Sequence, residues 1–168
     1  KIIYGSSATR TTTTATFGVS SGKWYWELNK NASGDELAGI TNVSDYAGIY
    51  PGSASGSWGY YGGDGQKYVE GTNSDYGASY TTGDIIGFAL DMDAGTLVAY
   101  KNNSSQGTLA SSLTGDIYPA IGDGGGTGTT NNGFNFGQDS SFAGNETAQG
   151  NTDGNGIGDF YYAPPSGF

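Results

Sequence analysis

Cysteine is absent from this chain, and so is histidine. The first absence removes disulfide frameworks and thiol chemistry and leaves stability to packing. The second removes the commonest general base, the usual nucleophilic triads and the commonest zinc ligand. Positive charge is scarce: six Lys and Arg stand against 16 Asp and Glu, for a net charge of −10. Phosphate backbones and anionic lipid surfaces select basic patches, so neither nucleic acid nor membrane insertion is expected. Acidic side chains read instead as what keeps a Gly- and Tyr-rich surface in solution. No run approaches the roughly 20 apolar residues of a membrane helix, and no signal peptide opens the chain. It starts at Lys1 rather than Met and stops at Phe168, which reads as part of a longer protein.

Glycine is abundant, at 32 of 168 residues, and no strong helical periodicity appears. That much Gly alone would suggest disorder, yet 3 Trp, 13 Tyr and 7 Phe argue against it. Disordered chains are poor in aromatics, and each buried aromatic removes roughly 150–250 Å² from water. A single folded, loop-rich, all-β domain follows.

Residues 83–103 organise the rest. Ile86, Phe88 and Leu90 share one face of an extended strand, with Ile85, Gly87, Ala89 and Asp91 on the other. Asp93, Ala94 and Gly95 supply turn chemistry, and residues 96–100 return antiparallel. Whether Leu97 and Ala99 or Val98 and Tyr100 face inward is left open by the pattern. Earlier in the chain, residues 11–17 read as an edge strand or a polar leader. Trp24, Trp26 and Leu28 alternate with Tyr25 and Glu27, placing Trp24 and Trp26 in the core and Glu27 toward solvent. Short strands are expected at 37–41, 57–61, 67–69, 117–122 and 133–137. Pro119 calls for an edge or a bulge. Loops are expected at 29–35, 42–56, 70–80, 102–112 and 123–132. About ten short strands at this spacing fit an antiparallel sandwich, with Trp58, Phe88 and Phe136 also inside.

These segments, in this order, resemble the SPRY domain family. The likeness is carried by Gly22–Glu27, Ala38–Thr41, Ser57–Tyr60, Gly65–Tyr68, Gly83–Gly87, Leu90–Asp93, Gly95–Leu97, Lys101-Asn102 and Tyr118–Ala120, and it covers residues 17–140. The resemblance implies a bent antiparallel β-sandwich of concanavalin-like architecture that binds partners through loops at one end and lacks enzymatic activity. Residues 1–16 would be a leader or edge strand, and 141–168 a C-terminal extension continuing or wrapping the sandwich. The tail, residues 155–168, is similar to segments that follow SPRY domains in bacteriophage virion proteins. This implies a tail, fibre or capsid-surface component of a virion, within an oligomeric assembly. Its partners would be other virion subunits or a host-surface glycan or protein.

Candidate sites are few. Tyr46, Tyr50, Tyr61, Tyr76 and Tyr80 lie near turn signals, and Tyr offers rigid contact area with a hydroxyl, which suits ligand binding. Packing beneath long loops is the equal alternative for each. Asp91 and Asp93 have the i, i+2 spacing of an acid/base pair, but turn and surface roles account for both. Asn151, Asp153, Asn155 and Asp159 fall at positions 1, 3, 5 and 9 of a calcium-like loop. Position 12 is Tyr162, so a Gly/Asn/Asp turn explains them better. No catalytic residue, metal or cofactor is expected.

Overall fold

The computed structural model describes residues 2–4, 12–31, 35–42, 50–123 and 130–168. Twelve strands run through them: β1 (Ile2–Tyr4), β2 (Thr12–Thr14), β3 (Lys23–Asn29), β4 (Glu36–Thr41), β5 (Ser57–Tyr61), β6 (Lys67–Val69), β7 (Thr72–Ser74), β8 (Ile85–Asp91), β9 (Thr96–Lys101), β10 (Ser104–Ala110), β11 (Tyr118–Asp123) and β12 (Thr130–Asn135). They form two six-stranded antiparallel sheets, ordered β1-β12-β3-β8-β9-β10 and β2-β11-β4-β5-β6-β7. The all-β sandwich expected from the sequence is therefore the fold.

The inner faces follow the period-two pattern. Trp26, Leu28, Ile86, Phe88 and Leu90 of the first sheet meet Ala38, Ile40, Tyr60 and Ile121 of the second. Trp26 stacks on Phe88 with ring centroids 5.4 Å apart. The register of β8 against β9 sets Leu90 opposite Leu97 and Phe88 opposite Ala99. Leu97 and Ala99 are thus buried, while Val98 and Tyr100 are half-exposed, which closes the alternative that the pattern left open.

Several strand expectations are corrected. Residues 102–112 are not a loop but contain β10, whose SSQGTLA sequence has little strand propensity. Two register shifts against β9 bend this edge strand. β7 lies inside the expected 70–80 loop. Asp123 and residues 130–132 extend β11 and β12 into the expected 123–132 loop, whose middle lies outside the described residues. Pro119 sits in a strand flanked on both sides, and Ala15 N–H donates to its carbonyl just past the end of β2. Its nitrogen faces that same side, so no bond to β4 is lost.

Glu27 is the sharpest correction. Expected in solvent, it is fully buried, because residues 139–168 run across the outer face of the first sheet. Its carboxylate accepts from the backbone N–H of Tyr161 (2.8 Å) and Tyr162 (2.7 Å) and from Asn135 Nδ2 (3.1 Å). Phe160 packs edge-on against Tyr25 at 5.3 Å. This cover explains why β8 is buried on both faces from Ile85 to Leu90.

Candidate functional site

The hairpin acids are structural. Asp91 Oδ1 accepts from the backbone N–H of Asp93 and Ala94, closing the turn, and Asp91 Oδ2 pairs with Lys23 at 3.1 Å. These bonds hold its carboxyl below the ordinary carboxylate range. Asp93 Oδ1 caps Gly22 N–H. With both carboxylates so engaged, the turn reading accounts for the spacing. Asp153 likewise takes the N–H groups of Asn155 and Ile157 into one turn. Asn151 turns its amide toward the Tyr161 carbonyl. Asp153 and Asn155 thus belong to a turn, whereas Asn151 bridges to Phe160 and the Asp159 N–H donates to the Gly137 carbonyl; among the described residues no group of three acids is gathered for a metal.

The five candidate tyrosines separate into groups. Tyr46 lies outside the described residues. Tyr80 is 3% exposed, and its hydroxyl donates to the Tyr60 carbonyl at 2.9 Å; burial pushes its pKa well up. Tyr76 is half-buried and donates to the Gly107 carbonyl at 2.6 Å, tying β10 to the loop after β7. Both rings pack edge-on against Tyr60. Tyr50 and Tyr61 converge instead on Tyr68, with centroids 5.7 and 6.0 Å away, on the outer face of the second sheet. All three are half-exposed. Partial burial and the neighbouring Asp35 raise the Tyr61 hydroxyl to about 12, so it stays a neutral donor.

A more open aromatic surface lies where the sequence pattern placed core. Trp24 (44% exposed) and Phe136 (38%) are not buried, and Phe17 (41%) joins them. With Val19, Trp26 and Pro119 they line an apolar cleft of about 440 Å³ between the first turn of β3 and the bridge joining Val19 to Ile117. Phe17 meets Phe136 edge-on at 5.0 Å, and Phe134 stacks on Phe136 at 5.8 Å. Trp24 Nε1 donates to the Ser21 carbonyl at 2.8 Å, which fixes the indole. Gly18 permits the cleft's back wall: a Cβ there would lie 2.6 Å from the Tyr118 ring. The alternation rule correctly sets the direction of Trp24 but is blind to where the sandwich ends. Its signal was positional: Trp24 is the second residue of β3, and Phe136 follows the last residue of β12. A second, polar groove of about 780 Å³ runs between the β6–β7 edge and β10, lined by Lys67, Glu70, Thr72 and Thr108.

Two stacked antiparallel sheets, with an aromatic cleft at one end and a buried core between, define a β-sandwich domain. The chain belongs to the SPRY domain family, whose model matches residues 23–139. It is 38% identical over 104 residues to the dual specificity protein kinase splA of Dictyostelium discoideum, covering 58% of this chain and 4% of that protein. It is 31% identical over 105 residues to human Ran-binding protein 9, covering 60% of this chain and 14% of the relative. The chain thus spans only a small part of the curated relatives it matches. The crystal structure of the SPRY domain of human HERC1 superposes with a TM-score of 0.67 at 22% identity, covering 76% of this chain and 82% of that one. A second human SPRY domain gives 0.63 at 20% identity, covering 76% and 86%.

Proposed function

We propose that this SPRY domain is a non-enzymatic interaction module that docks a partner protein in the cleft of Phe17, Trp24 and Phe136. The observation that carries this reading is three large aromatics left exposed around one apolar cleft. Grouped exposed aromatics at a concave site are the anchors from which protein interfaces draw most of their energy. Trp24 is already held by Ser21, so little ordering entropy opposes binding. Tyr50 and Tyr61, beside Tyr68, provide a second contact area, and Tyr76 and Tyr80 support it from within; Tyr46, outside the described residues, is a further candidate on sequence grounds alone. The human relative is named for binding Ran, which supports a protein partner over a glycan. Peptide binders selected against the full chain should lose at least about tenfold in affinity, or 1.4 kcal/mol, on Trp24→Ala/Phe136→Ala. Binders that hold the variant equally well would refute the cleft as the docking surface.

A virion setting is the second reading. It rests on the sequence resemblance read from residues 155–168 alone, and the relatives named above, which are eukaryotic, give it no support. In that setting the partner is a neighbouring virion subunit or a host-surface glycan or protein. A glycan array and electron microscopy of intact particles, labelled through this domain, test it; unlabelled particles would sink it.

A further inference from the structure

Lys30 and Glu36 form a buried contact at one end of the core, with Lys30 Nζ against Glu36 Oε2 and both side chains almost wholly out of solvent. A third group stands with them. The register sets Gly133 opposite Asn29, so one step further Asn132 faces Lys30 across the ladder. The Lys30 backbone N–H donates to Asp84 and its carbonyl accepts from Gly83, both away from β12. Lys30 and Asn132 therefore stand next in line past the last paired residues of β3 and β12, on the face that their strands share with Leu28 and Phe134. Asn132 is fully buried. Its amide lies near enough to Glu36 to favour the charged carboxyl, yet Nδ2 has no aligned hydrogen-bond acceptor, and Glu36 Oε1 has no aligned donor. The backbone N–H of Asn31 donates to Asn132 Oδ1 at 3.2 Å. Asp123, opposite Glu36 in the ladder, and Asp35 are the other acids on this end.

A primary amine, a carboxamide, a carboxyl in contact with the amine, and a backbone donor on the carboxamide oxygen are the parts of an acyl-transfer site. We propose that Lys30 and Asn132 join in a self-catalysed isopeptide bond, with Glu36 as the proton shuttle. In the first step the Glu36 carboxylate takes a proton from the Lys30 ammonium it touches, which leaves an amine beside an acid. The Nζ lone pair attacks Asn132 Cγ, and the carbonyl electrons move onto Oδ1, where the Asn31 N–H holds them. Glu36 gives its proton to Nδ2 and takes one from Nζ. The Cγ–Nδ2 bond then breaks, Oδ1 recovers its double bond and ammonia departs. Protons and electrons balance: one secondary amide, one ammonia and protonated Glu36 remain, and no oxidant or cofactor is used. Burial, outweighing the pull of Lys30, raises the Glu36 carboxyl above the ordinary glutamate range, as a shuttle requires. The product ties the end of β3 to β12 covalently in a chain without cysteine.

Intact mass spectrometry of the purified full chain tests this directly. The expected mass is lower than the sequence mass by one ammonia, and digestion yields a branched peptide joining the Lys30 and Asn132 segments. Lys30→Met and Glu36→Gln should restore the unbridged mass. An unmodified wild-type mass overturns the proposal without any variant having to fold. Ammonia loss that survives Lys30→Met also overturns it, because Asn132 precedes Gly133 and succinimide formation sheds the same mass. Loss of water with a branch to Glu36 would overturn Asn132 as the acceptor.

Discussion

Replacing Glu27 by alanine should detach the C-terminal segment from the sandwich. The carboxylate holds two backbone N–H groups, one side-chain amide and, at 3.3 Å, the Tyr25 hydroxyl. Were the tail to stay in place, the Tyr161 and Tyr162 N–H groups would face a void, each costing about 1–3 kcal/mol, while the Asn135 amide keeps the Asp159 carbonyl. That sum exceeds what apolar burial of residues 151–168 returns, where Phe160, at 7% exposure, is the main anchor, worth about 1.5–3 kcal/mol. The cheaper outcome is release, with the tail re-solvated and stability lower by about 3 kcal/mol. Urea denaturation reads the loss, and hydrogen exchange at the Tyr161 and Tyr162 amides reads the release. A double-mutant cycle separates this from general damage: in a chain ending at residue 150, Glu27→Ala should cost far less. An unfolding free energy changed by less than about 0.5 kcal/mol, with both amides still protected, would refute the anchoring role.

Four further outcomes are expected. Burial raises the Glu27 carboxyl despite its four donors, so the folded state binds that proton more tightly than the unfolded chain. The Glu27 contribution is then greatest below the unfolded pKa of about 4.3 and falls as pH rises through the higher folded value. Glu27→Gln removes this titration, so the stability gap between wild type and variant should shrink as pH rises from 4 to about 7; a widening gap in denaturant titrations counts against it. Phe88→Ala empties the space beneath Trp26 and should cost about 3–5 kcal/mol by the same measurement. Gly52 has φ +91°, and a Cβ there would lie 2.3 Å from the Tyr68 carbonyl oxygen. Gly52→Ala should therefore cost about 2 kcal/mol and disturb the Tyr50–Tyr68 contact, seen as altered tyrosine resonances. Trp24→Ala should change stability by only about 1 kcal/mol or less, so any binding it abolishes is lost at the surface; a core-sized loss on thermal melting would return Trp24 to the core.

What the sequence revealed depended on whether one sheet face was enough to explain a residue. The hairpin of β8 and β9 was legible because Ile86, Phe88 and Leu90 alternate and Asp93-Ala94-Gly95 can only turn. β10 was not, since its Ser, Gln and Gly carry no pattern; neighbours hold it, through Tyr76 on the Gly107 carbonyl and Lys67 on the Thr108 carbonyl. Trp24 and Phe136 pointed the right way, but apolar alternation does not say where the opposing sheet stops. Of the candidate tyrosines, position near a turn could not distinguish Tyr80, roofed by the core, from Tyr61, which lies outside it.

Glu27 shows why the remaining errors share a cause. On a sheet with one wet face, a charged residue at every second position signals solvent. Here a second layer of chain, far along the sequence, covers that face. The charge is then retained because it supplies acceptors for an irregular segment that has no ladder of its own. Lys30, Glu36 and Asn132 sit at the opposite kind of boundary, on the inner face where the apolar core ends. In both places the polar side chain marks a junction between strand and non-strand backbone, and an alternation rule written for strands alone misassigns it. The same logic bears on binding: with Glu27 holding residues 161 and 162, the part of the first sheet's outer face around Tyr25 is already covered. On the proposed reading, partner contacts fall on surfaces the tail leaves uncovered, the Trp24–Phe136 end among them; freeing the tail by Glu27→Ala should open a further apolar surface around Tyr25 that binds a hydrophobic dye, while the cleft keeps its selected peptide binder.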